Sequence, residues 1–180
     1  MRAARLVLLV VALGHGACGS ATVQVRVRYL VRPYPLPFGV GCLSWPMGDG
    51  HRHVSMGFHD PKYVFKKQIG DHDAIDLPAD VGTEVRASAS GRVVFVNPVV
   101  DKDHASSVRI RFETDWTYDV MHLRRIDVHV GEYVRRGDVI GLSGGKKGAI
   151  GSGPYTTGPH LHFNVRHGQE FVDPEPYLCP

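Results

Sequence analysis

The strongest constraint on this chain is its punctuation. It holds 21 glycines and 12 prolines in 180 residues, and they cut it into apolar runs too short for a three-turn helix. Between them side chains alternate in character. Val108-Arg109-Ile110-Arg111-Phe112 and Trp116 to His122 read as strands with one buried face. Val85 with Ala87, Val93 to Val96 and His160 to Val165 read the same way. Gly131 to Gly141 reads as strand, turn, strand, and loosely echoes Gly82 to Ala87. The segment Gly144 to Gly158 has little periodicity and reads as a long loop leading to His160, and loops of that length beside chemistry are usually functional. The expectation is an all-β chain of many short strands and turns.

The first 21 residues have the layout of an export signal. Arg2 and Arg5 precede the apolar run Leu6 to Leu13, and small residues follow at Ala17 to Ala21. That run is far shorter than the roughly 20 residues that span a bilayer, so no integral membrane segment is expected after cleavage. The alternative is lipidation of Cys18. The expected layout is a signal peptide over 1–21, an N-terminal strand and proline-rich linker over 22–44, and the domain over 45–180. Destination is then the periplasm, the extracellular space or the envelope. Cleavage takes the formal charge from +3 to about +1, because Arg2 and Arg5 leave and no acid does. No basic stripe interleaved with aromatics is visible along the chain, which argues against nucleic acid as a partner. Cys42 and Cys179 remain; in an exported protein they either pair or stay as free thiols.

Chemistry concentrates in two clusters. His160 and His162, two apart on a strand pattern, share a face, while Leu161, Phe163 and Val165 take the other. His-x-His also fits a pair of surface histidines. In His72-Asp73-Ala74-Ile75-Asp76 two ligand-type groups stand four apart, roughly 13 Å along an extended strand. They can meet only if the chain turns near Asp73-Ala74; Asp71 and Asp73 are alternative carboxylates. Together the clusters can offer two imidazoles and a carboxylate to a zinc ion and leave a fourth position for water, as catalytic zinc requires. His122 ends an alternating run. His51, His53, His59, His104, His129 and His167 have no such context and read as solvated loop histidines. The helical His-Glu-x-x-His motif is absent.

At these residues the sequence resembles the lysostaphin-type, or LytM-like, zinc endopeptidases that cut peptidoglycan. Three blocks carry the likeness in order. They are His72-x-x-x-Asp76 followed by Gly82-Thr83-x-Val85-x-Ala87; Met121-His122-Leu123 followed by Val130-Gly131-x-x-Val134-x-x-Gly137; and Thr157-Gly158-Pro159-His160-Leu161-His162-Phe163, ending in Val172-Asp173-Pro174. The resemblance implies that His72, Asp76 and His162 bind Zn2+, that His160 and His122 are the catalytic histidines, and that peptidoglycan peptides are the substrate. It implies a compact antiparallel β-sheet domain, of duplicated hybrid-motif or barrel-sandwich-like architecture, with long active-site loops. Some members place a tyrosine near the oxyanion, and Tyr63 is a candidate. Degenerate members lack the ligands and activate other wall hydrolases; a non-catalytic wall-binding or activator role is therefore the alternative, and an activating partner for this chain stays open.

Overall fold

The computed structural model describes residues 34–180; the export signal expected over 1–21 and the strand expected over 22–31 lie outside them. Ten strands follow in chain order: β1 (Ile75–Pro78), β2 (Glu84–Arg86), β3 (Gly91–Asn97), β4 (Ser107–Glu113), β5 (Trp116–Met121), β6 (Leu123–Ile126), β7 (Tyr133–Val134), β8 (Val139–Ser143), β9 (His160–His167) and β10 (Glu170–Val172). Helix is limited to one four-residue turn, α1 (Lys66–Ile69), and two 3-10 turns. The all-β reading from punctuation and alternation therefore holds. Two short strands, β6 and β10, were not marked by that pattern.

The large sheet runs β1-β9-β5-β4-β3-β7, with β10 also on β9; the small sheet runs β2-β8-β6. All these ladders are antiparallel. The pleat sorts side chains by row. Val93, Ile110, Tyr118 and Val165 are cross-strand partners, and all four lie in the core with Phe163, Leu161 and Leu77. Tyr118 is fully buried, and its phenol donates to the Ala89 carbonyl at 3.0 Å, which satisfies its one polar atom. The opposite face of the large sheet carries the polar residues, among them His160 and His162.

The described chain ends meet. Leu43 is fully buried and forms an isolated parallel bridge with Leu178. Trp45 donates its indole N–H to the Cys179 carbonyl at 2.8 Å. Cys42 and Cys179, 137 residues apart, are joined as a disulfide with their Cα atoms 5.0 Å apart. Sequence left the pairing open because spacing along a chain gives no distance across it. A loop of this size removes much unfolded-state entropy, and the chain-entropy model puts the stabilisation at roughly 3–5 kcal/mol. Chemical denaturation with and without reductant is expected to show a loss of that size; coincident curves would show that the bridge contributes nothing.

Candidate metal centre

Antiparallel register builds the site. Asp76 on β1 stands directly opposite His162 on β9, and their side chains share the polar face. The Nδ1 of His162 lies 3.0 Å from Asp76 Oδ1. His72 arrives from the bend before β1, where the chain turns over 71–74 as the sequence required. Its Nε2 lies 3.2 Å from Asp76 Oδ1 and 3.3 Å from His162 Nδ1. His72 and Asp76 are buried at 2% and 8% exposure, with His162 partly so. The alternative carboxylates are engaged elsewhere. Asp73 pairs with His59 at 2.8 Å, and Asp71 with Lys66.

The donor set fits a metal ion on chemical grounds. The Nδ1 of His72 lies 2.9 Å from the Gly57 carbonyl, which can only accept, so Nδ1 carries a proton. In a neutral ring Nε2 is then a bare lone pair, and it faces the lone pairs of Asp76 Oδ1. Only a proton or a cation between them reconciles that contact. Donors about 2.0–2.1 Å from a tetrahedral zinc stand roughly 3.3 Å apart, close to the separations of these three atoms. Burial works against a charge on His72, but the adjacent Asp76 carboxylate outweighs it and raises the imidazole's pKa. Burial likewise works against the Asp76 charge, yet hydrogen bonds from His162 and His72 hold this carboxyl well below the usual carboxylate range.

Two more histidines face the same cleft. His160 on β9 donates Nδ1–H to the Gly158 carbonyl at 2.7 Å, leaving Nε2 3.5 Å from Asp76 Oδ1. Gly145 (φ 76) lets the following loop reach this strand end, since a Cβ there would lie 2.9 Å from the His160 carbonyl oxygen. His122 sits between β5 and β6 with φ 64, a left-handed conformation uncommon outside glycine. Its Nδ1–H donates to the Ser152 carbonyl at 2.7 Å, and its ring lies 4.7 Å from that of His160. Burial, chiefly, and the neighbouring His162 and His160 push its pKa down to about 3, so the ring stays neutral. His122, His160 and His162 thus form a second, overlapping group of three donors.

Tyr63, which sequence could not align, has its ring 4.6 Å from that of His72. Burial and the Asp76 and Asp73 charges push its phenol up to about 12, so it remains a hydroxyl donor. Phe65 and Tyr155, which the sequence did not single out, join it in lining a cavity of about 260 Å³ beside the histidines. His59 is an exposed turn residue whose ring contacts Asp73, whereas His167 is the last residue of β9, stacked 4.1 Å from Tyr34, and departs from the reading as a loop histidine.

Residues 70–174 match the family model described as peptidase family M23. The chain belongs to that family of peptidases, which is zinc-dependent and includes lysostaphin. Lysostaphin of Staphylococcus simulans is 34% identical over 116 residues, covering 61% of this chain and 22% of that protein. The peptidoglycan DD-endopeptidase ShyB of Vibrio cholerae is 29% identical over 128 residues, 67% of this chain and 26% of its own length. Among solved structures, a zinc containing peptidase from Vibrio cholerae aligns with TM-score 0.61 at 27% identity, covering 73% of this chain and 39% of that one. The lysostaphin catalytic domain aligns at 0.57 and 28% identity, covering 71% and 92%. The chain spans between 22% and 33% of the length of the curated relatives it matches.

Metal analysis of the purified protein is expected to find about one zinc per chain. Asp76→Ala and His162→Ala should each weaken retention by more than the roughly 10–100-fold typical of outer-shell changes. Full zinc in either variant removes that residue from the ligand set.

Proposed function

We propose that this chain is an exported zinc metalloendopeptidase that hydrolyses peptide bonds in the stems or cross-links of peptidoglycan. The observation that carries this reading is the convergence of His72, Asp76 and His162 within hydrogen-bonding distance of one another, with the rings of His160 and His122 beside them. In this reading the three converging groups are the ligands, and His160 and His122 are the catalytic histidines. Named relatives that act on peptidoglycan support the substrate class. The arginine-flanked apolar leader supports export, and residues 1–21, 22–44 and 45–180 serve as signal, linker segment and catalytic domain.

Zinc, when bound, supplies a Lewis acid that polarises the scissile carbonyl and acidifies water. The protein supplies proton handling and orientation. The backbone carbonyls of Gly158 and Ser152 accept from Nδ1–H of His160 and His122, which leaves Nε2 of each ring as the atom turned to the site; a pKa of about 3 makes His122 a weak base. An imidazole that has taken the water's proton is an imidazolium, able to return it to the leaving amine. Tyr63, kept protonated, is a candidate donor to the oxygen on which negative charge develops. A peptide lying in the cavity between Tyr63 and Tyr155 has its backbone against these groups.

The test is to incubate the zinc-loaded mature chain with purified sacculi and identify released muropeptides by mass spectrometry. Fragments with new peptide termini are expected. His160→Ala and His122→Ala should keep zinc yet lose about 100-fold or more in rate. No release by wild type, with zinc bound, would leave the wall-binding or activator role; near wild-type rates in either variant would remove that histidine from the chemistry.

A further inference from the structure

The polar face of the large sheet does not end at the histidines. Following the pairing register across six strands gives one row: Tyr133 on β7, Arg92 on β3, Arg111 on β4, Thr117 on β5, Arg166 on β9 and Phe171 on β10. The next row toward the core chemistry holds Phe95, Arg109, Asp119 and Asn164. Because β9 carries His160, His162, Asn164 and Arg166 at alternate positions, this surface and the metal centre share one face. Arg166 stands four residues from His162, roughly 13 Å along the strand, and the six-strand row extends on the order of 24 Å.

Charge on this face is not cancelled. Arg109 and Arg166 share the single carboxylate of buried Asp119, at 2.7 and 3.7 Å. Arg92 and Arg111 are both exposed and stand directly opposite each other, an arrangement of like charges that costs stability unless something else uses it. Arg92 donates to the Gly131 carbonyl at 2.6 Å, and Arg111 pairs with no carboxylate among the described residues. The pair lines an open hollow of about 410 Å³ with Ser90, Thr114 and Tyr133, a residue 59% exposed. One acid, Glu113, also lines it and accepts from the backbone N–H and hydroxyl of Thr114. Phe171 at the far end lies 4.0 Å beneath the Arg166 guanidinium.

We infer that this face is a second substrate surface, which holds the carboxylate-bearing glycan–peptide polymer remote from the bond being cut; the inference rests on the proposed wall-peptidase reading. Guanidinium forks match carboxylates of acidic stem residues and peptide C-termini, and the exposed ring of Tyr133 can accept the apolar face of a sugar. A row as long as several sugars, running off one face with the scissile site, suits a polymer better than a small anion. Its role is retention and placement of an insoluble substrate, distinct from the proton chemistry.

The experiment compares full-length mature wild type with R92Q/R111Q and with Tyr133→Ser. Binding to purified sacculi is read by sedimentation on ice, and hydrolysis of a short soluble stem peptide is read separately. Both variants change exposed side chains, and zinc content checks the fold. Sacculus affinity of R92Q/R111Q is expected to fall about tenfold, with a shallower salt dependence, while kcat/KM on the short peptide stays within about twofold. Tyr133→Ser should weaken sacculus binding at unchanged salt dependence. Equal binding by R92Q/R111Q and wild type overturns the inference, whether or not the chain cuts wall. So does an equal fall on the short peptide, or displacement of wild type by a DNA oligonucleotide at concentrations where soluble glycan–peptide fragments do not compete. Loss of sacculus binding in the variants, from a wild type that cuts nothing, would overturn the peptidase reading and leave the surface standing.

Discussion

Everything at the site hangs on one cross-strand pair. Asp76 and His162 face each other in the β1–β9 ladder, and a carboxylate is thereby placed in a buried position within 3.5 Å of three imidazoles. An isolated buried charge is expensive. Here it is tolerated because His162 and His72 approach the same oxygen, at 3.0 and 3.2 Å. A one-residue slip of β1 against β9 would bring Leu77 or Ile75 to that face and send Asp76 into the core. The fully buried Ile75, Leu77, Leu161 and Phe163 therefore fix the register, and with it the donor set.

Orientation of the remaining groups comes from main-chain carbonyls. The carbonyls of Gly57, Ser152 and Gly158 each accept a hydrogen bond from Nδ1–H of a histidine, which aims the three Nε2 atoms inward. All three carbonyls belong to segments outside the named strands, so the loops act as tautomer selectors while β1 and β9 carry the carboxylate and two of the rings. His122 accepts a left-handed backbone to take part, a strain of order 1–3 kcal/mol that a purely structural turn would shed by using glycine.

Much of this is legible in the sequence, because a β pleat writes itself as alternation. His160 and His162 against Leu161 and Phe163 gave the face; the proline and aspartates around Asp76 required the bend. What the sequence hid are properties of pairing. Arg92, Arg111 and Arg166 are scattered over more than 70 positions, with no basic stripe along the chain, and only register sets them in one row. That Asp71 and Asp73 face Lys66 and His59, while Asp76 faces His72 and His162, is likewise a matter of partners that periodicity does not supply. Strand β6 escaped because His122 breaks the alternation between it and β5, and β10 because three residues are too few to carry a pattern. The meeting of Cys42 with Cys179 needed the fold.

Two groups of three donors share His162, one containing Asp76 and one containing only histidines. In the proposed function the ion sits in the first, and His122 and His160 remain free to move protons. Anomalous diffraction at the zinc edge from crystals of the zinc-loaded protein separates them directly. A single peak bounded by His72, Asp76 and His162, about 2.0–2.2 Å from each donor atom, is the result expected. A peak bounded instead by His122, His160 and His162, with Asp76 unligated, would contradict it.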